Sequence, residues 1–347
     1  MAVGFPTKTS FVNGDVYSAA DVNDLAGTVN LLDSAQYAAG KNKVLNGDFG
    51  IWQRGTSFTA TGYTADRWYF TRNNTTTLSQ QTFTPGTAPV SGYEGTYYMR
   101  LARTAGASSD YLLQKIEDVR IFAGQTIQFS YWAKASSAVT LNATYFEQNF
   151  GSGGSATVTT TNSATSLTTS WQRFTVTVAI PSITGKTIGT NSFLAVNFQL
   201  GSAMGTSITV DIWGVQVEAG STASPFQTAT GTLQGELAAC QRYYWRTGGD
   251  LTYQYLSAGF ATATTQAFIP FRSPSTLRVP PTSLEFSTLA LYAGGSIYPV
   301  TSATINSAGK DTSNIQFGVS SGLVNGYGYY VITNNTLSGY VALSAEL

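Results

Sequence analysis

An all-β protein is what this sequence predicts, and three observations carry the prediction. Apolar and polar residues alternate by two in short segments: Tyr97-Tyr-Met-Arg-Leu, Thr126-Ile-Gln-Phe-Ser-Tyr-Trp, Trp171-Gln-Arg-Phe-Thr-Val, Phe193-Leu-Ala-Val-Asn-Phe and Thr209-Val-Asp-Ile-Trp-Gly-Val-Gln-Val, the period of a half-buried strand. Thr is the commonest residue, ahead of Ala, Gly and Ser, and aromatics reach 13%; Thr and aromatic side chains suit pleated surfaces. Gly, Asn and Pro punctuate the segments. Strands so spaced from Val44 to Gln227 suit a two-sheet jelly-roll β-sandwich. With 347 residues the chain has room for a second domain. The predicted division is an N-terminal helical segment (1–42), the jelly roll (43–228), a linker helix (229–248) and a smaller C-terminal β-sandwich (249–347).

In the N-terminal segment Pro6 holds its neighbour extended, and Asn13-Gly-Asp supplies hairpin-turn chemistry. Ser18 caps a helix with Asp21 in its first turn. Val22, Leu25, Val29 and Leu32 follow at spacings of three, four and three, an a/d seam over about two heptads. So narrow a seam suits self-association of parallel helices; a helix packed on the chain's own sandwich has the same spacing.

Asn46 to Trp68 reads as the entrance strand and first crossing of the sandwich. Phe49, Ile51 and Trp52 carry its alternation, Gly55 and Gly62 its turns, and Trp68 and Phe70 its return. Arg54, Asp66 and Arg67 stand among these aromatics, which predicts one Arg–Asp pair across adjacent strands. Between Thr232 and Arg246 the period changes. Leu233, Leu237, Cys240 and Tyr244, spaced four, three and four, make one apolar helical stripe on which Cys240 is a small buried hydrophobe. After Gly248-Gly249 strands resume over 251–260, 264–271, 284–292, 315–319, 327–333 and 340–347, with a proline corner at Arg278-Val-Pro-Pro. This tail is long enough for a core of its own.

Composition excludes several functions. Charged residues are 10% of the chain and the net charge is zero, without the basic footprint that nucleic acid or an anionic membrane surface demands. No run approaches a membrane span, and the opening residues lack the apolar core of a signal peptide. The one cysteine excludes an internal disulfide framework, so a protein made in a cytosol must be stable without crosslinks. There is no histidine, which removes the commonest general base and every Ser-His-Asp arrangement. Glycan cleavage would need two facing carboxylates, and Asp110, Glu117, Asp118, Glu147 and Glu285 are scattered without a recognisable pairing. The chain is expected not to be an enzyme and to require no cofactor.

Three passages carry a resemblance: Asn46-Gly-Asp-Phe-Gly-Ile-Trp-Gln-Arg-Gly-Thr-Ser-Phe running on to Asp66-Arg-Trp, Val215-Gln-Val-Glu-Ala-Gly-Ser-Thr-Ala-Ser-Pro-Phe, and Glu236-Leu-Ala-Ala-Cys-Gln-Arg-Tyr-Tyr. Together with Phe268-Ile-Pro-Phe-Arg-Ser-Pro and the ending Ser344-Ala-Glu-Leu, they resemble a family of bacteriophage tail-fibre proteins. In that family a jelly roll similar to carbohydrate-binding modules follows a short attachment segment. The resemblance implies a virion structural protein, a homotrimer made in the host cytoplasm, bound to other tail or baseplate proteins through residues 1–42. Its role would be host attachment, or joining other tail proteins as an adaptor; a polysaccharide depolymerase is a third reading.

Sugars pack their C–H faces on aromatic rings. Tyr253, Tyr292, Tyr327, Tyr329 and Tyr330 are therefore the candidate glycan-binding residues, with Asn325-Gly-Tyr-Gly-Tyr-Tyr the densest run; core packing or cross-strand pairing would also account for them. Carbohydrate-binding jelly rolls often hold a structural calcium with oxygens from their first and last strands. Asp48 and Asp211 match those strands, and hydrogen bonding to backbone would equally explain both.

Overall fold

The computed structural model describes residues 40–347 apart from 91–92, 107, 142, 202–204 and 206, together with Asn23 upstream. Val22, Leu25, Val29 and Leu32 lie outside the described residues. The jelly roll begins with β1 (Ser57–Phe58), β2 (Gly62–Tyr63), β3 (Trp68–Thr71), β4 (Thr75–Thr82), β5 (Tyr97–Ala105), β6 (Asp110–Glu117) and β7 (Thr126–Ala135). It continues through β8 (Val139–Leu141), β9 (Ala143–Asn149), β10 (Val158–Thr161), β11 (Thr165–Leu167), β12 (Gln172–Ala179), β13 (Phe193–Leu200) and β14 (Ile208–Ala219). One six-stranded sheet runs β1-β4-β5-β14-β7-β12, and the facing sheet runs β10-β9-β13-β6-β3-β2.

Alternation decides which residues fill the space between them. On β7, Ile127, Phe129, Tyr131 and Ala133 enter the core with Trp68, Phe70, Phe146 and Phe198, while Gln128, Ser130, Trp132 and Lys134 project from the other side. A bulge between Trp213 and Gln216 interrupts β14. There Gly214 takes φ 63°, which shifts the alternation so that Val215 and Val217 join Val210 and Ile212 in the core. On the outer side of this sheet Trp132 and Trp213 pack with Phe83 and Phe226.

The first residues of Asn46–Trp68 are a turn and not the expected strand. Asn46 and Phe49 adopt φ of 53° and 54°. The Asn46 side chain holds the turn closed, donating to the carbonyls of Ile51 (2.8 Å) and Asp66 (3.1 Å) and accepting from the Ile51 N–H. At Gly47 a Cβ would stand 2.1 Å from the Val215 carbonyl oxygen, so only glycine lets the turn dock on β14, where Val215 N–H bonds the Gly47 carbonyl at 2.8 Å.

Helix α1 (Leu233–Gln241) is shorter than the expected 232–246, and Thr232 caps it by accepting from the Gly235 N–H. Its buried residues are Glu236 and Cys240, whereas Leu233 is 70% exposed. Glu236 is inside because its carboxylate accepts from the N–H groups of Asn46 (2.9 Å) and Thr230 (2.7 Å). Burial raises its pKa and these hydrogen bonds oppose the rise.

The remaining strands are β15 (Tyr244–Thr247), β16 (Tyr255–Ala263), β17 (Gln266–Arg272), β18 (Ser283–Ser287), β19 (Leu289–Ala293), β20 (Ser296–Ala308), β21 (Thr312–Val319), β22 (Gly328–Thr333) and β23 (Tyr340–Ser344). The C-terminal domain is all-β as expected, but its strands β16-β17-β21-β20-β19-β22 close into a barrel where two facing sheets were expected. Closure leaves no free edge. The expected strand 284–292 is divided at Thr288, φ 44°, so that β18 joins β15 and β23 in a three-stranded sheet while β19 enters the barrel.

The expected Arg–Asp pair is corrected as well. Both Arg54 and Arg67 pair with Glu346, near the far end of the chain, and their guanidiniums lie 3.6 and 3.5 Å from the ring centres of Tyr244 and Tyr243. Asp66 instead accepts from the backbone and side chain of Gln53. Burial alone would lower the Arg67 pKa, and Glu346 turns the shift upward. Lys115 and the Tyr63 hydroxyl donate to the Leu347 carbonyl, and Arg278 to those of Ala345 and Glu346. The last three residues thus join the two domains.

Candidate functional site

The barrel brings some of the predicted tyrosines together and separates others. Along β22 the side chains alternate. Tyr329 turns inward, is 3% exposed, and accepts a hydrogen bond from the Val324 N–H; Tyr330 turns outward and is 48% exposed. Tyr330 stands opposite Tyr292 of β19, and between them reaches Tyr255 of β16, 56% exposed. The Tyr255 ring meets Tyr330 edge-on at 5.0 Å and Tyr292 edge-on at 6.0 Å. Exposed Phe260 and Ile297 extend this face. Tyr327 and Tyr253 are exposed elsewhere, on the 324–327 turn and at a position of φ 56°. Of the five predicted tyrosines, then, Tyr292 and Tyr330 share a surface and Tyr329 is core. Partial burial first, and Tyr292 next, raise the Tyr255 pKa above 10, so its hydroxyl keeps its proton as a donor at neutral pH.

A second alignment of side chains could not be read from the sequence. On the outer side of the sheet containing β13, register lines up Tyr63, Tyr69, Leu113, Asn197 and Tyr145 across five strands. Tyr63 and Tyr69 meet edge-on at 5.1 Å. Asn197 keeps its side-chain nitrogen buried without a partner among the described residues, and burial, with Glu147 and Tyr111 after it, pushes the Tyr145 phenol up to about 12. Each residue is an ordinary outward position of its strand; only register makes them neighbours.

Asp48 and Asp211 have separate partners. Asp48 accepts from the Gly50 N–H and from the Tyr93 hydroxyl at 3.2 Å. Burial raises its pKa despite these bonds. It lines a cavity of about 450 Å³ together with Phe226 and Glu236. Asp211 accepts two hydrogen bonds from Arg100, at 2.7 and 2.8 Å. No group of three or more His, Cys, Asp or Glu side chains placed to hold a metal occurs among the described residues. Of the five scattered carboxylates, Asp110 is engaged by Arg103, Glu117 by Arg242, Asp118 by Arg120 and Glu285 by Tyr244, while Glu147 accepts only a 3.4 Å hydrogen bond from the Asn149 side chain among the described residues. No helix of the described residues is long and apolar enough to cross a membrane.

No protein-family model matches the chain, and no curated protein does. Among solved structures, the enzymatically active domain of tailspike protein 4 from bacteriophage CBA120 is similar at 14% identity and a TM-score of 0.33. The similarity covers 52% of this chain and only 21% of that one. The N-terminal cellulose-binding domain of β-1,4-glucanase C from Cellulomonas fimi has 18% identity and a TM-score of 0.32, covering 49% of this chain and 97% of its own. A Stig cyclase from Fischerella has 14% identity and a TM-score of 0.35, covering 54% and 100%. These proteins do different things, and likeness at this level assigns none of their activities here.

Proposed function

We propose that the protein is a bacteriophage tail fibre that attaches to a host-surface glycan through its C-terminal barrel. The observation that carries this reading is the face formed by Tyr255, Tyr292 and Tyr330, in which the Tyr255 ring meets both of the others edge-on and Tyr255 and Tyr330 keep about half of their surface in water. Flat apolar rings with hydroxyl rims suit the C–H faces and hydroxyls of a sugar, and such a patch on a soluble protein marks a binding surface. The resembling passages add support. Though far apart in sequence they meet at one junction, where the Gly47 carbonyl bonds Val215 and the Asn46 N–H bonds Glu236. In this reading the fibre is a homotrimer, residues 1–42 join it to the tail, and no catalytic step is involved.

Binding of the labelled full chain to host cells, followed by a glycan array, tests the proposal. Tyr330→Ala and Tyr255→Ala should each weaken binding about tenfold and leave the melting temperature near that of the parent. Equal binding by parent and both variants would remove the barrel face from the function. The apolar Phe260 and Ile297 beside the tyrosines favour one second reading, an adaptor that holds another tail protein. An empty glycan array together with capture of a tail component that Tyr330→Ala loses would select it.

A further inference from the structure

We infer that the jelly roll carries a separate site for an acidic saccharide, on the outer face of the sheet containing β14. A hollow of about 310 Å³ opens there between β5, β7 and β14. Asp211 forms its floor, nearly buried, and two cations stand over it with about a third of each side chain in solvent. Arg100 spends Nε and one terminal nitrogen on Asp211, and that same nitrogen also donates to the Tyr98 hydroxyl at 3.2 Å. Its other terminal nitrogen has no partner among the described residues. Lys134 stands 3.7 Å from Asp211, beyond a hydrogen bond, and has no other acceptor among the described residues. The hollow therefore holds two positive charges against one negative, with unused donors facing outward.

Rings stand beside these donors. The Lys134 ammonium lies 5.2 Å from the centre of the Trp171 ring, and Tyr98 meets Trp171 edge-on at 5.4 Å. Thr169, Thr209 and Ser136 add polar groups to the wall. A ligand matching this arrangement presents an anionic group to Arg100 and Lys134 and hydroxyls to Thr169, Thr209 and Ser136. A uronic acid fits, as does a sulfated sugar, and their shared chemistry is an oxyanion on a pyranose. This inference rests on the proposed function only in taking a glycan as ligand, because the hollow belongs to the other domain.

Calorimetric titration of the full chain with oligogalacturonate, with its methyl-esterified neutral form and with a sulfated oligosaccharide tests it. The parent should bind at least one acidic probe, more weakly as salt rises, and should not bind the neutral form at the hollow. Lys134→Gln should lower that affinity about tenfold and Lys134→Arg should restore it; which acidic probe responds tells carboxylate from sulfate recognition. Binding unchanged in Lys134→Gln, or no acidic probe bound, overturns the inference. Tyr330→Ala separates the two proposals. If it loses host cells but still titrates the acidic probe in a Lys134-dependent way, both stand. If Lys134→Gln binds probe and cells like the parent while Tyr330→Ala loses cells, the hollow fails and the barrel stands.

Discussion

Glu346 is the residue on which the buried charges between the domains depend. Its carboxylate is shared by Arg54 and Arg67, and all three side chains are nearly excluded from solvent. Removing one partner from a buried ion pair leaves a charge with neither water nor counter-ion, so Glu346→Ala should destabilise the protein by about 3–5 kcal/mol in chemical denaturation. Asp48 has the opposite character, because burial raises its folded-state pKa above the ordinary 3.8. The folded state then holds the proton more tightly than the unfolded one. The ionised carboxylate therefore costs stability at neutral pH, and that stability returns as pH falls through the folded-state pKa toward 3.8. Asp66 and Glu236 are shifted in the same direction, again by burial first. Burial also opposes ionisation of Asp110, but hydrogen bonds from Asn74, Thr76 and Asn73 hold its pKa down, so its contribution is lost as pH falls. Asn at position 48 can serve both Gly50 and Tyr93, so Asp48→Asn should raise the melting temperature at pH 7 and flatten its change between pH 7 and 4. A lower melting temperature in the variant would contradict this account.

Among the elements, β14 sets the geometry of both faces of its sheet. It pairs with β5 and β7, supplies Val210, Ile212, Val215 and Val217 to the core, and presents Asp211 and Trp213 on the other side. Both sets can coexist only because the bulge at Gly214 resets the alternation. A Cβ at Gly214 would lie 2.7 Å from Trp132, at a φ of 63° that L-residues rarely adopt. Gly214→Ala should cost about 2–4 kcal/mol, the strain and the overpacking together. The loss should appear as a lower denaturation midpoint with an unchanged slope.

For the whole molecule, the join made by Ala345, Glu346 and Leu347 determines whether the two domains unfold together. These residues take hydrogen bonds from Tyr63 and Lys115 of the jelly roll and from Arg278, while Gln53 reaches across to the Tyr244 carbonyl at 2.9 Å. Deleting 345–347 should convert one calorimetric transition into two, since each domain retains its own core. A single transition in the truncated chain would place the coupling elsewhere. The proposed homotrimer is tested by light scattering at micromolar concentration, where the expected mass is three chains and a monomer mass would count heavily against it.

The sequence by itself determined the all-β class, because alternation is a local property: each strand announces its buried face within a few residues. Most strand positions and the burial of Cys240 were legible for the same reason. Where local pattern misled, a distant group had taken over. Asn46–Trp52 alternates like a strand, yet it turns because Asn46 finds its partners at Ile51 and Asp66 and Gly47 meets β14. Glu236 displaced Leu233 from the buried side of α1 because two backbone N–H groups await its carboxylate. β20 escaped notice because Ser296–Ala308 is rich in Ser, Thr and Ala, and pairing with β19 and β21 holds it extended. The candidate sites followed the same division. Sequence named Tyr292 and Tyr330 but could not exclude Tyr329, whose fate depends on which way β22 faces the barrel. It could not assemble Arg100, Lys134 and Asp211 either, because their neighbourhood exists only through strand register. Pairing across strands is a long-range choice, and tertiary structure alone made it.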